Sequence, residues 1–142
     1  MDSTLLTKSS IILEVNTLCG IISLMIEADL SVKDPRGADV FCSGFDLQWY
    51  LHGKHPENDG VITRQHVELT VSQPDDLQIF VDEKRPHRCY YYRHFSKKGP
   101  AVKVVVDFSD ETKGTIKTIY PCSNQPKGER VLWSPRLAEK RK

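Results

Sequence analysis

The residues best suited to chemistry lie in the second half of the chain. CYYYRHF (89–95) sets three consecutive tyrosines ahead of an arginine and a histidine, and AVKVVVDFS (101–109) follows after a short basic turn. Alternation along a strand puts Val102, Val104, Val106 and Phe108 on one side of the second segment and Lys103, Val105 and Asp107 on the other. The valine side belongs against helices, so Lys103 is expected on the open face of a central strand. The first segment divides into Cys89, Tyr91, Arg93, Phe95 and Tyr90, Tyr92, His94. GTIKTIYP (114–121) divides into Ile116, Thr118, Tyr120 and Thr115, Lys117, Ile119. Register is not readable from sequence, so either set is compatible with the side of Lys103. In each case the open face gathers cations, phenols and hydroxyls. Guanidinium and ammonium groups bind phosphate oxygens and offset charge that develops in a transition state, and phenol rings stack on nucleobases. The competing reading is an ordinary sheet face, with tyrosines where strands favour them and cations that are simply solvated.

Several elements must position these groups. Leu13, Val15, Leu18, Ile21, Ile22, Met25 and Ile26 follow a rough helical period, which predicts a helix over 9–28. DPRG (34–37) is a turn that joins LSVKD to ADVFCS as a hairpin. FDLQWYLHGKHPE (45–57) reads as a helix with Phe45 and Trp49 on one side and stop signals at Gly53 and Pro56. VITRQHVELTVSQ (61–73) reads as a second, with Ile62, His66 and Leu69 on one stripe before Pro74. Period two then takes over in DLQIFVDE, CYYYRHF, AVKVVVDFS and GTIKTIYP. Helices followed by consecutive strands predict an α+β fold. The expected architecture is helices on one face of a mainly four-stranded antiparallel sheet, with an N-terminal hairpin and an extra N-terminal helix. The expected organisation is a helical extension over 1–29, a main domain over 30–133 and a basic tail over 134–142, with order ending at Trp133.

A chain of 142 residues is long enough to bury ~70% of its unfolded surface in one domain. Its net charge of +1 hides a split. Residues 1–83 carry five Lys/Arg against fourteen Asp/Glu, a net of −9, and residues 84–142 carry fifteen against five, a net of +10. Such asymmetry fits a polyanion-binding face, and equally two solvated surfaces of opposite sign. Cys19, Cys42, Cys89 and Cys122 are far apart, with no C-x-x-C pair and no His/Cys cluster at ligand spacing. Neither zinc nor any other metal or cofactor is expected. No signal peptide is recognisable, so reduced thiols and a cytoplasmic location are the expectation. The most apolar stretch, residues 10–26, contains Glu14 and Asn16 and falls short of the ~20 apolar residues that span a bilayer. A buried or partner-covered helix is expected there, and no membrane association.

The order of five segments adds a resemblance. HPEND (55–59), ITRQHVELTVSQPDDL (62–77), RCYYYRHF (88–95), VKVVVDFSDETKGTIKTIYP (102–121) and GERVLW (128–133) together resemble the phage-associated branch of the barnase–EndoU–colicin–RelE-like nuclease superfamily. The resemblance covers about residues 30–133. It implies a small helical layer against a four-stranded antiparallel sheet, with RNA bound across the sheet. It implies metal-independent endoribonuclease activity of the toxin or phage-effector kind, with an antitoxin or immunity protein as a possible partner. The chemistry would be attack of a ribose 2′-hydroxyl on its own phosphodiester, helped by a general base, cations and a general acid.

Within that scheme the acid/base role falls to His55 or His66. His55 ends the first helix beside Pro56 and Glu57, where helix capping competes with catalysis. His66 sits among apolar neighbours on the second helix, where a core histidine is equally at home. Arg93 and Lys103 are the candidates for phosphate contact, and Thr118 matches the family's threonine on the last strand. Tyr91, Tyr92 and Tyr120 are candidates for stacking or proton donation. Arg88, Lys97 and Lys98, in the KRPHR and FSKKG turns, would steer a phosphate backbone. The alternative on the same face is a non-catalytic module that binds RNA or an acidic protein.

Overall fold

The computed structural model describes residues 10–17, 20–124 and 126–140, with side chains from residue 27 to residue 139 apart from 125. Strands β1 (Ser10–Thr17) and β2 (Gly20–Glu27) form a two-stranded antiparallel hairpin, pairing from Ser10↔Glu27 to Thr17↔Gly20. This replaces the helix expected over 9–28, of which residues 9, 18 and 19 lie outside the described residues. Ile11, Ile12, Val15, Thr17, Ile21, Ile22 and Ile26 are β-branched, stiff at χ1 and better suited to a pleated strand than to a helix.

Strands β3 (Leu30–Lys33) and β4 (Asp39–Cys42) form the hairpin expected around DPRG. Gly37 takes φ +91°, a conformation that a Cβ would strain. The Asp34 carboxylate closes the turn by accepting the Arg36 and Ala38 N–H groups at 2.9 and 3.0 Å. Helix α1 (Gly44–His52) starts at Ser43, whose hydroxyl accepts the Asp46 N–H, and stops at Gly53. Gly44 sits so close to strand β2 that a Cβ there would lie 2.0 Å from the Glu27 carbonyl oxygen. The side of α1 that faces the core is Leu47 and Leu51. Phe45 and Trp49, read as sharing one side of this helix, are 70% and 56% exposed. A 3₁₀ turn at Pro56–Asn58 follows, then helix α2 (Arg64–Ser72).

Strands β5 (Ile79–Asp82), β6 (Arg88–Arg93), β7 (Ala101–Asp110), β8 (Lys113–Cys122) and β9 (Glu129–Trp133) come next. Helix α3 (Pro135–Lys140) replaces the frayed tail expected after Trp133. The Ser134 hydroxyl accepts the Leu137 N–H at 3.2 Å, a side-chain cap next to a proline at the first helical position.

The class is α+β, but among the described residues the main sheet has seven strands in the order β3-β4-β8-β7-β6-β5-β9, not four. It is mixed, because β4 pairs in parallel with β8 while the other pairs are antiparallel. The β3–β4 hairpin, expected in addition to a four-stranded sheet, extends one edge. The GERVLW segment extends the other as β9. Leu47 and Leu51 of α1 and Val67 and Val71 of α2 pack with Val40, Ile79, Tyr91, Val104, Val106, Ile116 and Ile119 in one core.

Two features of the sheet decide what shares its other face. The β7–β8 register shifts between Val105 and Val106, so that Val105 pairs with Thr118 and Val106 with Ile116. The bulge at Lys117 sends Ile116 into the core and puts Thr118 and Tyr120 beside Lys103, so residues 116, 118 and 120 do not share a face. The strand order also brings in β9: it lies three spacings from β7, ~14 Å in a flat sheet, and the long Lys103 and Glu129 side chains reach toward each other until Nζ lies 2.9 Å from Oε2.

Candidate functional site

On the face turned away from α1 and α2, the pairs Tyr92↔Lys103↔Tyr120 set one row of side chains across three strands, with Tyr90↔Val105↔Thr118 alongside it. Lys103 is at its centre, 2% exposed. Its ammonium lies 4.3, 5.1 and 5.6 Å from the ring centroids of Tyr90, Tyr92 and Tyr120, within cation–π range. Lys103 donates to one oxygen of the Glu129 carboxylate at 2.9 Å, and the Tyr92 hydroxyl donates to the other. Tyr90 donates to Asp82 at 2.7 Å. Burial first, and the hydrogen bonds to these carboxylates second, push the Tyr90 and Tyr92 phenols well above the ordinary tyrosine range. Both therefore act as donors and not as bases.

His55 completes the row. The 3₁₀ turn holds it against β8, where, among the described residues, no strand pairs beyond residue 115 on that side. Asn58 fixes the turn by donating to the Ile119 and Tyr50 carbonyls at 2.8 and 2.9 Å. His55 Nε2 lies 3.2 Å from the Thr118 hydroxyl, and Nδ1 lies 3.6 Å from the Glu57 carboxylate. Its ring centroid is 5.5 Å from that of Tyr120, so Tyr120 stands between His55 and Lys103. The His55 side chain is 26% exposed. An imidazole with a carboxylate at one nitrogen and a hydroxyl at the other can take up or release a proton at the open edge of the row.

Thus His55, Lys103, Thr118, Tyr92 and Tyr120 come together. Arg88 is on the same face, but its guanidinium is locked to Asp107 by two hydrogen bonds of 2.7 and 3.0 Å. The Arg88 pairing holds the Asp107 carboxyl below the usual carboxylate range.

The other candidates lie elsewhere. Tyr91 points into the core, 0% exposed, and donates to the buried Asp34 carboxylate at 2.8 Å; its ring is closed to a base. Arg93 is on the helix side, donating to the Gln73 carbonyl at 2.6 Å and stacked over Phe95. It caps the C-terminus of α2, a favourable place for a cation. His66 belongs to the capping box of α2. Its Nδ1 accepts the Thr63 N–H at 3.1 Å, and its ring packs 4.5 Å from that of Phe95. Lys97 and Lys98 are exposed in the β6–β7 turn.

Sequence reasoning passed over Glu129 and Tyr90 as site residues, and noted Glu57 only as the neighbour of His55. Glu129 is the most consequential, because it supplies the countercharge to Lys103. In the sequence it is one of five carboxylates in a half with fifteen Lys and Arg, and nothing local ties it to Lys103. Among the described residues, no group of three His, Cys, Asp or Glu side chains is placed to hold a metal ion, and no helix is long and apolar enough to cross a membrane.

No family model, curated protein or solved structure matches this chain.

Proposed function

We propose that the protein is a metal-independent endoribonuclease of the barnase–EndoU–colicin–RelE-like kind, with His55 as its proton-transfer group. The observation that carries this reading is the meeting of His55, Thr118, Tyr120 and Lys103 on one sheet face. In the reaction, His55 removes the proton from a ribose 2′-hydroxyl and the 2′-oxygen forms a bond to phosphorus. The bond from phosphorus to the 5′-oxygen breaks, and the Tyr120 hydroxyl protonates the leaving oxygen. Thr118 donates to a non-bridging oxygen, and the buried ammonium of Lys103 supplies positive potential behind it. Arg93, His66 and Tyr91 have no part in this scheme. Lys97 and Lys98 steer the RNA backbone. A cytoplasmic ribonuclease of this kind would need an antitoxin or immunity protein to restrain it.

One observation favours a second reading, a non-catalytic module that binds RNA or an acidic protein. The charges of Lys103 and Arg88 are already matched by Glu129 and Asp107, which leaves exposed turn lysines to make contacts without chemistry. Matched RNA and DNA oligonucleotides incubated with the protein in excess EDTA separate the two. The enzyme cuts RNA alone, because DNA has no 2′-hydroxyl. A binding module shows salt-dependent affinity for RNA and no turnover.

A further inference from the structure

The helical layer does not cover the whole of its side of the sheet. Seven strands span ~29 Å, while two helices side by side cover ~20 Å. Near the β3–β4 turn, the uncovered part is a cleft of about 620 Å³ lined by Arg36, Cys89, Phe108, Leu132 and Trp133, within the size range of small-molecule sites. Phe108, Leu132 and Trp133 pack against the core yet remain partly open. The floor is the buried Cys89, whose thiol is pushed up to about 11 by burial and stays neutral.

Among the described residues, the single well-fixed cation in this cleft is Arg36. Its Nε donates to Asp34 at 3.0 Å, an Nη lies 2.9 Å from the same carboxylate, and its guanidinium stacks 5.0 Å from the Phe108 ring centroid. Phe108 is itself seated on Gly114, where a Cβ would come within 2.9 Å of the ring. Asp34 also accepts the Tyr91 hydroxyl and two backbone N–H groups. Its charge is therefore shared among several donors, while the guanidinium keeps N–H groups beyond those facing Asp34. The acidic rim is Glu111, exposed to solvent, and Asp110, turned to its own loop by the Thr112 hydroxyl and the Thr112 and Lys113 N–H groups. A guanidinium held rigid over an aromatic ring, at the end of an apolar slot, suits one kind of ligand.

We propose that this cleft binds a small molecule with a single oxyanion head, carboxylate or phosphate, on a flat apolar body. The head pairs with Arg36 and the body lies between Phe108 and Trp133. This site is on the opposite side of the sheet from His55 and does not depend on the ribonuclease reading.

The test is an NMR titration of the ¹⁵N-labelled full chain with 2-naphthoate, phenyl phosphate and neutral 2-naphthamide. At least one of the anions should saturate, shifting the Trp133 indole N–H and the amides of Cys89 and Phe108; which one does so identifies the head. Naphthamide should bind at least tenfold more weakly than the better anion, and Arg36→Gln should lose about tenfold or more of that anion's affinity. Because Arg36→Gln leaves Asp34 short of a partner, Ser109→Trp is a second variant. Ser109 lines the cleft and is exposed, so tryptophan there blocks the slot without burying anything new. Loss of binding in a folded Ser109→Trp protein supports the site. Naphthamide binding as tightly as the anions, non-saturating shifts spread over the surface, or unchanged affinity in Ser109→Trp would overturn it.

Discussion

Replacing Glu129 by glutamine tests how closed the tyrosine-lined face is. The change removes one charge and almost no volume. Lys103, 2% exposed, would keep its ammonium among three rings with no countercharge, and removing one partner of a buried pair costs about 3–5 kcal/mol. A domain of this size is stable by roughly 5–15 kcal/mol, so the loss is a large share of the total. With a urea dependence of about 2 kcal/mol per molar, the unfolding midpoint at pH 7 should fall by about 2 M. Lys103→Met should cost a similar amount, because Glu129, with its side chain 4% exposed, would be left charged and buried. The double variant, Lys103→Met with Glu129→Gln, removes both charges and leaves an amide oxygen for the Tyr92 hydroxyl. It should be more stable than either single variant, with a coupling of about 2 kcal/mol or more. Two single losses under about 1 kcal/mol that simply add would mark a solvated surface pair. That result would refute the burial argument and would also leave Lys103 open to direct phosphate contact.

Other expectations follow from the same contacts. Tyr91→Phe removes a buried donor to Asp34 and should cost about 1–3 kcal/mol in urea unfolding, without changing RNA affinity; weaker RNA binding at unchanged stability would contradict its core placement. The Arg88 guanidinium holds the Asp107 carboxyl low, so its stabilisation is present above about pH 4 and is lost as the pH falls through the lower folded value. Asp107→Asn should flatten the acid limb of the stability curve, and an unchanged limb would count against the pairing. Burial pushes the thiols of Cys42 and Cys89 up to about 12 and about 11. Their contribution is complete below the free thiol range and declines as the pH rises above about 9. At pH 8, iodoacetamide should alkylate Cys122 in the native protein and spare Cys42 and Cys89, as read by peptide mass spectrometry; rapid alkylation of Cys89 would contradict its burial.

Much of the fold was legible where local chemistry and tertiary context agree. DPRG carried its own turn geometry, and the valines of β7 showed which way that strand faces. The stripe before Pro74 located α2 to within three residues at its start. Residues 10–27 were misjudged because a nearly continuous apolar run satisfies period 3.6 and period 2 at once, and only its β-branched content pointed to strands. The site was half legible. Types alone marked Lys103 and Tyr120, but the bulge that turns Thr118 and Tyr120 to the side of Lys103 while Ile116 faces the core is a pairing property with no local signature. Arg93 and Tyr91 were open alternatives on the sheet until the β6–β7 register turned both toward the helices. Glu129 was missed because its meeting with Lys103, across β6 and β5, depends on the order in which the strands pair.

The most direct measurement of the proposed activity is cleavage of end-labelled RNA in excess EDTA, with the products analysed for 2′,3′-cyclic phosphate ends. Wild-type protein should produce such ends. His55→Ala should lose at least about a hundredfold in rate while remaining folded, and a folded His66→Ala protein should stay active. Wild-type protein that yields no cyclic phosphate, or a His55→Ala protein that cuts as fast as wild type, would contradict the assignment.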